Sequence, residues 1–442
     1  MCMNFMIDKQ TLDDLDIFGK RQGKSIFNLF NETKTQGGSL VLEEMFRYSL
    51  SDAGAINDRS YLISCFCGKG IDFPFPGELF AIAESYLENT DERSRLSKEN
   101  YNLQQKIKSH IGTNTEYEQI AKGVSAWREI IKGMDHFMQQ LNLGGDTHTA
   151  EIAEILAIIR EFGGIPEPKQ KISYARVAEC DDRLRYERRD RLKRMLYLIY
   201  RLDVYITVAR VAEKRGFSFA KAIQDTENKI SIQGLYHPLL ATPVANSIEI
   251  DGCSNVIFLT GANMAGKSTF MKSFAITMFL AHMGFPVPAE SMLFTVQNGM
   301  YTTINLSDNF TMGYSHFYSE VLRLKKVAEQ VSRSRNLIVI FDELFRGTNL
   351  ADAYQATVEM VKAFSRKRNC TFIISTHIVE AGEALREKCD NVRFLYLPTL
   401  MEGNKPVYTY RLKEGITDDR HGMVIINNEH IVEIIKRNAT IG

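Results

Sequence analysis

A chain of 442 residues has room for roughly two to four domains with sizeable cores. Its 44% apolar and 24% charged residues fit a globular protein and exclude a disordered or membrane-embedded one. Lysine plus arginine number 54 and aspartate plus glutamate 54, so the overall charge excludes a general attraction to nucleic acid, and any DNA-binding face must come from local clustering or a closed shape.

The start, Met-Cys-Met-Asn-Phe-Met-Ile-Asp-Lys9, carries an early acid and no long apolar core, unlike a signal peptide. Residues 7–66 read as short helices with turns at Gln36-Gly-Gly38 and Asp52-Ala-Gly54. Cys65 and Cys67 form the only close cysteine pair, without metal-ligand spacing. Together with the lack of any C-x-x-C, this reads as reduced thiols in a cytoplasmic protein. Three- and four-residue apolar spacing predicts helices over Leu79–Leu87, Asn100–Ile111, Tyr117–Leu141 with the single Trp127, and Thr149–Phe162, the last stopped by Gly163-Gly164. The stripe Val177, Leu184, Leu192, Leu196, Ile199, Leu202, Ile206, Ala209 predicts one helix of about forty residues over 175–214, about 60 Å long and suited to act as a lever. Its densest basic stretch, Arg183–Arg194, is either a solvated face paired with Asp181, Asp182, Glu187 and Asp190 or a phosphate contact.

After Tyr236-His-Pro-Leu-Leu240 the texture changes to alternating strands and helices. Strands are expected over Ser247–Ile250, Val256–Leu259, Met300–Ile304, Leu337–Phe341, Thr371–Ser375, Val392–Tyr396 and Val407–Leu412. Helices are expected over Lys267–Gly284, Ser315–Val331, Asp352–Lys367 and Ile378–Lys388. The most apolar stretch, Ser273–Phe285, is too short to span a bilayer. The pattern predicts a multidomain α and α/β protein: an all-α domain over 1–230, then a P-loop NTPase domain over 231–442 built on a mostly parallel sheet.

The chemistry concentrates in that second half. Gly261-Ala-Asn-Met-Ala-Gly-Lys-Ser268 fits G-x-x-x-x-G-K-[ST] between a strand and a helix, the context of a phosphate-binding loop. Gly261, Asn263, Met264, Ala265, Gly266, Lys267, Ser268 and Thr269 are the candidate nucleotide-binding residues. In this reading Lys267 reaches the β/γ-phosphates and Ser268 holds Mg²⁺. The strand 337–341 ends in Asp342-Glu343, where Asp342 would hold Mg²⁺ and Glu343 would orient and polarise the attacking water. His377 closes the next strand, either as a structural residue or as a γ-phosphate sensor. Glycine and hydroxyls in Ser307-Asp-Asn-Phe-Thr-Met-Gly-Tyr-Ser315-His-Phe317, ahead of a helix, offer a further anion cradle.

These stretches resemble the ATPase domain of the MutS mismatch-repair family, an ABC-type NTPase. The similar residues are Thr260–Thr269 with Asn263, Asp342-Glu-Leu-Phe-Arg-Gly-Thr-Asn349, Ser375-Thr-His377 and the segment 307–317. Tyr236-His-Pro-Leu-Leu240 is similar to the entry into that domain. Ile26–Gly38 with Ile56-Asn-Asp-Arg59 is similar to the opening of the family's helical core and lever. The resemblance implies ATP and Mg²⁺ as cofactors, with Glu343, His377 and Lys267 as catalytic residues and Ser268 and Asp342 on the metal. It also implies a dimer in which Ser315 of one subunit completes the other's site, and DNA as partner. Because the core-like segment starts almost at Met1, a short form without the mismatch-reading and connector domains is expected, binding DNA without mismatch selectivity. Ala262 and Ala265 stand where the family usually has proline and glycine, and Leu240–Asn246 offers no aromatic ring to stack on adenine. The alternative is an ATP-driven scaffold whose levers grip a protein rather than DNA.

Overall fold

The computed structural model describes residues 4–19, 24–96, 115–141, 150–167, 173–225, 227–304, 316–333, 336–403, 405–417, 430 and 434–435. Two compact units emerge: Met1–Leu29, Phe46–Tyr61 and Ala212–Gly442 form one, and Phe30–Met45 and Leu62–Val211 form the other. The division does not follow a linear boundary near residue 230, because short N-terminal stretches are built into the sheet-bearing unit.

That unit contains β1 (Met6–Ile7), β2 (Ser218–Phe219), β3 (Lys221–Ile223), β4 (Ile230–Leu235), β5 (Asn246–Ile250), β6 (Val256–Gly261), β7 (Pro286–Val287), β8 (Ser291–Thr295), β9 (Gly299–Thr303), β10 (Leu337–Phe341), β11 (Thr371–Ser375), β12 (Val392–Leu397), β13 (Thr399–Glu402), β14 (Lys405–Tyr408) and β15 (Lys413–Glu414). Its main sheet has the order β1-β9-β10-β11-β6-β12-β15, parallel except where β15 meets β12. Strands β6, β10 and β11 are buried at every position, which explains why they read as unbroken apolar runs rather than alternating ones. Phe258, Phe341 and Phe372 lie in the core with Val361 and Phe364, whose ring stacks on Phe372 at 4.6 Å. A smaller sheet, β3-β8-β4-β5, alternates buried and half-buried positions along most of β4. The strand expected over 407–412 ends at Tyr408 and forms a hairpin with β13. Asp52, expected in a turn, caps helix Ala53–Ser64 by accepting from Ala55 N at 2.8 Å.

The second unit is helical. Helices Gly77–Glu88, Thr115–Gln140, Ala150–Glu161 and Tyr174–Asp181 appear where the apolar spacing placed them, while the helix expected over Asn100–Ile111 lies outside the described residues. Trp127 is fully buried and donates its indole N–H to Ala83 O at 3.2 Å. Gly37 and Gly38, expected in a turn, instead sit in the first turn of helix Gln36–Arg47. They are small because a Cβ at Gly37 would overlap the Tyr200 ring and one at Gly38 would come to 2.5 Å from the Asp203 carboxylate. Thr35 caps this helix by accepting from Gly38 N at 2.9 Å, and Asp203, from a distant part of the chain, holds the cap by accepting from the N–H groups of Lys34 and Thr35 and from the Thr35 hydroxyl.

The forty-residue helix is interrupted. After Asp181 comes a π-helical turn, Asp182–Glu187, before an α-helix runs from Arg189 to Arg215. At the break Arg185 and Asp181 form an ion pair whose side chains are both 1% exposed, with Tyr86 OH donating to Asp181 and Arg185 donating to Ser94. The pair is spaced as on an ordinary α-helix, so it anchors the break without accounting for the wider turn. The uninterrupted α-helix is 27 residues, or about 40 Å.

Candidate nucleotide site

Three parallel strands deliver the site at their carboxyl ends, where open α/β sheets place their ligands. β6 ends in Gly261 at φ 149°, and the loop that follows turns into helix Lys267–His282 through Gly266 at φ 102°. At its tip Met264 holds φ 67° and is exposed, whereas Ala265 is buried. Lys267 is only 4% exposed and lies back across the loop, donating to Gly261 O at 2.9 Å and Ala262 O at 3.3 Å. Burial pushes its ammonium pKa down, against the opposing pull of Glu343 and Asp342.

The acids follow β10. Asp342 accepts from Ser268 Oγ at 2.5 Å on one carboxylate oxygen and from Ser375 Oγ at 2.5 Å on the other. Glu343 has φ 55°, which turns its side chain out of the strand direction, and its N–H donates to Ser375 Oγ at 3.0 Å. Its carboxylate meets His377 Nε2 at 2.6 Å and Arg346 at 3.0 Å. The His377 hydrogen bond, outweighing the effect of burial, holds Glu343 below the usual carboxylate range. Lys267, Ser268, Asp342, Glu343 and His377 thus come together, whereas Ser315 and the segment 305–315 lie outside the described residues.

A cleft of about 520 Å³ opens over the loop, lined by Asn263, Met264, Gly266, Lys267, Ser268, Thr269 and Glu343 together with Leu235, His237, Pro243, Asn246 and Tyr410. Its size suits a nucleotide. The donor set suits a triphosphate with a divalent cation: amides at a helix N-terminus, an ammonium group, and a hydroxyl beside a carboxylate as hard oxygen ligands. Two rings missed by sequence reasoning, His237 and Tyr410, border it. Asn246 fixes the second, donating to Tyr410 O at 2.9 Å and accepting from Leu412 N at 2.7 Å. Burial lowers the His237 pKa, favouring a neutral ring. The only advance signal was the pair Tyr408-Thr-Tyr410, which carries no phosphate-site pattern of its own.

The basic stretch 183–194 is largely spent on local pairing. Arg185 is buried with Asp181, Arg188 and Arg191 share Glu161, Arg194 pairs with Glu154, and Arg183 and Arg189 donate to backbone carbonyls. Most of these partners come from helix Ala150–Glu161 rather than from Asp182, Glu187 and Asp190. Among the described residues no helix is long and apolar enough to cross a membrane.

Residues 257–441 match the family profile described as MutS domain V. The DNA mismatch repair protein MutS of Pseudothermotoga lettingae is 29% identical over 228 residues, covering 51% of this chain and 28% of that protein. The protein of the same name from Staphylococcus saprophyticus is 26% identical over 255 residues, covering 56% and 28%. That of Streptococcus thermophilus is 27% identical over 303 residues, covering 65% and 34%. The chain therefore spans about a third or less of the length of these relatives. Over residues 257–441 the chain thus carries a domain of the MutS family, MutS domain V, and there it is similar to these mismatch repair proteins.

Proposed function

We propose that this protein is an Mg²⁺-dependent ATPase of the MutS type that works on DNA as a homodimer, nucleotide turnover driving movement of its helical lever. The observation that carries the reading is the convergence of Lys267, Ser268, Asp342 and Glu343 on one cleft at the ends of β6 and β10. Lys267 and the loop amides hold the β/γ-phosphates, and the ring of Tyr410 or His237 faces the base. Ser268 and Asp342 hold the cation, whose bound charge offsets that of the phosphate oxygens. Glu343, kept ionised by its bond to His377, orients the attacking water and accepts its proton, while His377 faces the γ-phosphate. Ser315 of a second copy completes the site.

The test is ATP turnover by the chain and by Glu343→Gln, with and without duplex DNA. Wild type should hydrolyse ATP faster with DNA. The variant should retain bound ATP and lose about 10²–10⁴-fold in rate, as expected for removal of a general base. Undiminished turnover in the variant would refute the assignment of Glu343. DNA without effect on turnover or affinity at any salt concentration would favour a protein partner for the levers instead.

A further inference from the structure

The acid pair is also reached from the edge of the sheet. β1 covers β9 only at Gly299 and Met300, where a Cβ on Gly299 would come to 2.6 Å from Met6 O. Beyond that point the chain turns into helix Lys9–Asp14, capped by Asp8, and side chains take over from the strand. Alternate N–H groups of a strand point to the same edge. The Thr302 N–H donates to Thr11 Oγ1 at 2.9 Å, and the Ile304 N–H donates to Asp14 Oδ2 at 2.9 Å. Asp14 Oδ2 also accepts from Thr302 Oγ1 at 2.6 Å, and both Thr11 and Asp14 are buried.

At the same edge Arg323, on helix His316–Arg333, donates to Thr302 O at 2.6 Å and pairs with Asp8. The end of β9 then passes directly to the catalytic strand, because Thr303 O accepts from the Asp342 N–H at 2.9 Å. Hydrogen bonds joined by the backbone of residues 302–304 therefore link the N-terminal helix to Asp342, and from there to Ser268 and Ser375.

We infer that Thr11 and Asp14 are positioning residues for hydrolysis: by fixing the end of β9 they hold Asp342 against Ser268 without touching the nucleotide. The inference rests on the ATPase reading of the cleft. An edge cap of purely structural value would stabilise the sheet as a whole, whereas a positioning role acts on the acid strand and therefore on kcat.

Asp14→Ala, with Asp14→Asn as the conservative variant, separates the two. Asp14→Ala should lower kcat about tenfold while ATP affinity stays within about twofold. Asp14→Asn, whose amide oxygen still accepts from Ile304 N, should recover part of the rate. Amide hydrogen exchange in Asp14→Ala should rise at residues 299–304 and 341–343 and stay unchanged at 256–261 and 371–375. Unchanged kcat, or equal losses of binding and rate with exchange rising across the whole sheet, would overturn the proposal. A wild-type chain that binds ATP without turning it over would defeat the ATPase reading alone. The placement of Asp342 by Thr11 and Asp14 would then be judged by exchange alone, and unaltered exchange at 302–304 and 342 would overturn it.

Discussion

Gly266 holds φ 102° and ψ 14° where the phosphate loop enters its helix, a backbone conformation that an L side chain adopts only under strain. A Cβ there would also approach Tyr410 Cδ1 to 3.0 Å. Gly266→Ala should therefore cost about 1–2 kcal/mol of stability. It should weaken ATP binding further still, because relieving the strain re-aims the loop amides away from the phosphates. Gly252→Ala is the control, since Gly252 has open space around it and no positive φ. Titration with a fluorescent ATP analogue, paired with thermal melts, checks both, and equal affinity in the two variants would remove the loop from the binding site. At this scale much of the site was legible. Lys267, Ser268, Asp342 and Glu343 occupy two contiguous stretches whose strand and helix context is local. Asn246 and Tyr410 were not, because Asn246 meets Tyr410 across 164 residues of chain and only the folded sheet brings them together.

Helix Gln36–Arg47 illustrates the same divide among elements. Its two glycines signal a turn to any local rule, yet they are required by the approach of Tyr200, whose hydroxyl is tied to Glu84 at 2.6 Å and whose ring is buried. Gly37→Ala should thus destabilise the helical unit by about 1–3 kcal/mol through overpacking. Denaturation followed by the fluorescence of Trp127, buried in that unit, reads the loss directly. An unchanged midpoint would show that the ring can move aside. The parallel strands β6, β10 and β11 were legible because burial on both faces writes itself as an apolar run. β1 was not, since two residues carry no period and its place on the sheet depends on Gly299 some three hundred residues away. β2 and β3, of two and three residues, are short in the same way and pair with β7 and β8. The π-helical turn escaped for a different reason: the apolar stripe continues through it, so nothing in the spacing marks the change of pitch.

For the whole molecule, zero net formal charge and a basic stretch paired largely with helix Ala150–Glu161 leave pH dependence of stability to individual groups in unusual surroundings. His282 is one. It is fully buried, stacked on Phe5 at 4.0 Å, with Nδ1 bonded to Met278 O and Nε2 accepting from Gln297 N at 3.0 Å. Both nitrogens are satisfied by a neutral ring, and burial pushes its pKa down to about 4 from 6.5. Between those values the unfolded chain takes up a proton that the folded chain refuses. The contribution is fully present above pH 6.5, falls as the pH falls, and has been lost by pH 4, a difference of about 3 kcal/mol. His282→Phe keeps the ring but leaves the Gln297 N–H without its acceptor, at a cost of about 1–3 kcal/mol at neutral pH. Because the variant lacks the titrating group, its stability should fall less steeply over this window. Urea unfolding of both proteins at half-unit pH steps, followed by circular dichroism, should show the wild-type advantage shrinking toward pH 4. Parallel curves would mean that the imidazole is protonated in the folded state or that acid opens the sheet elsewhere first.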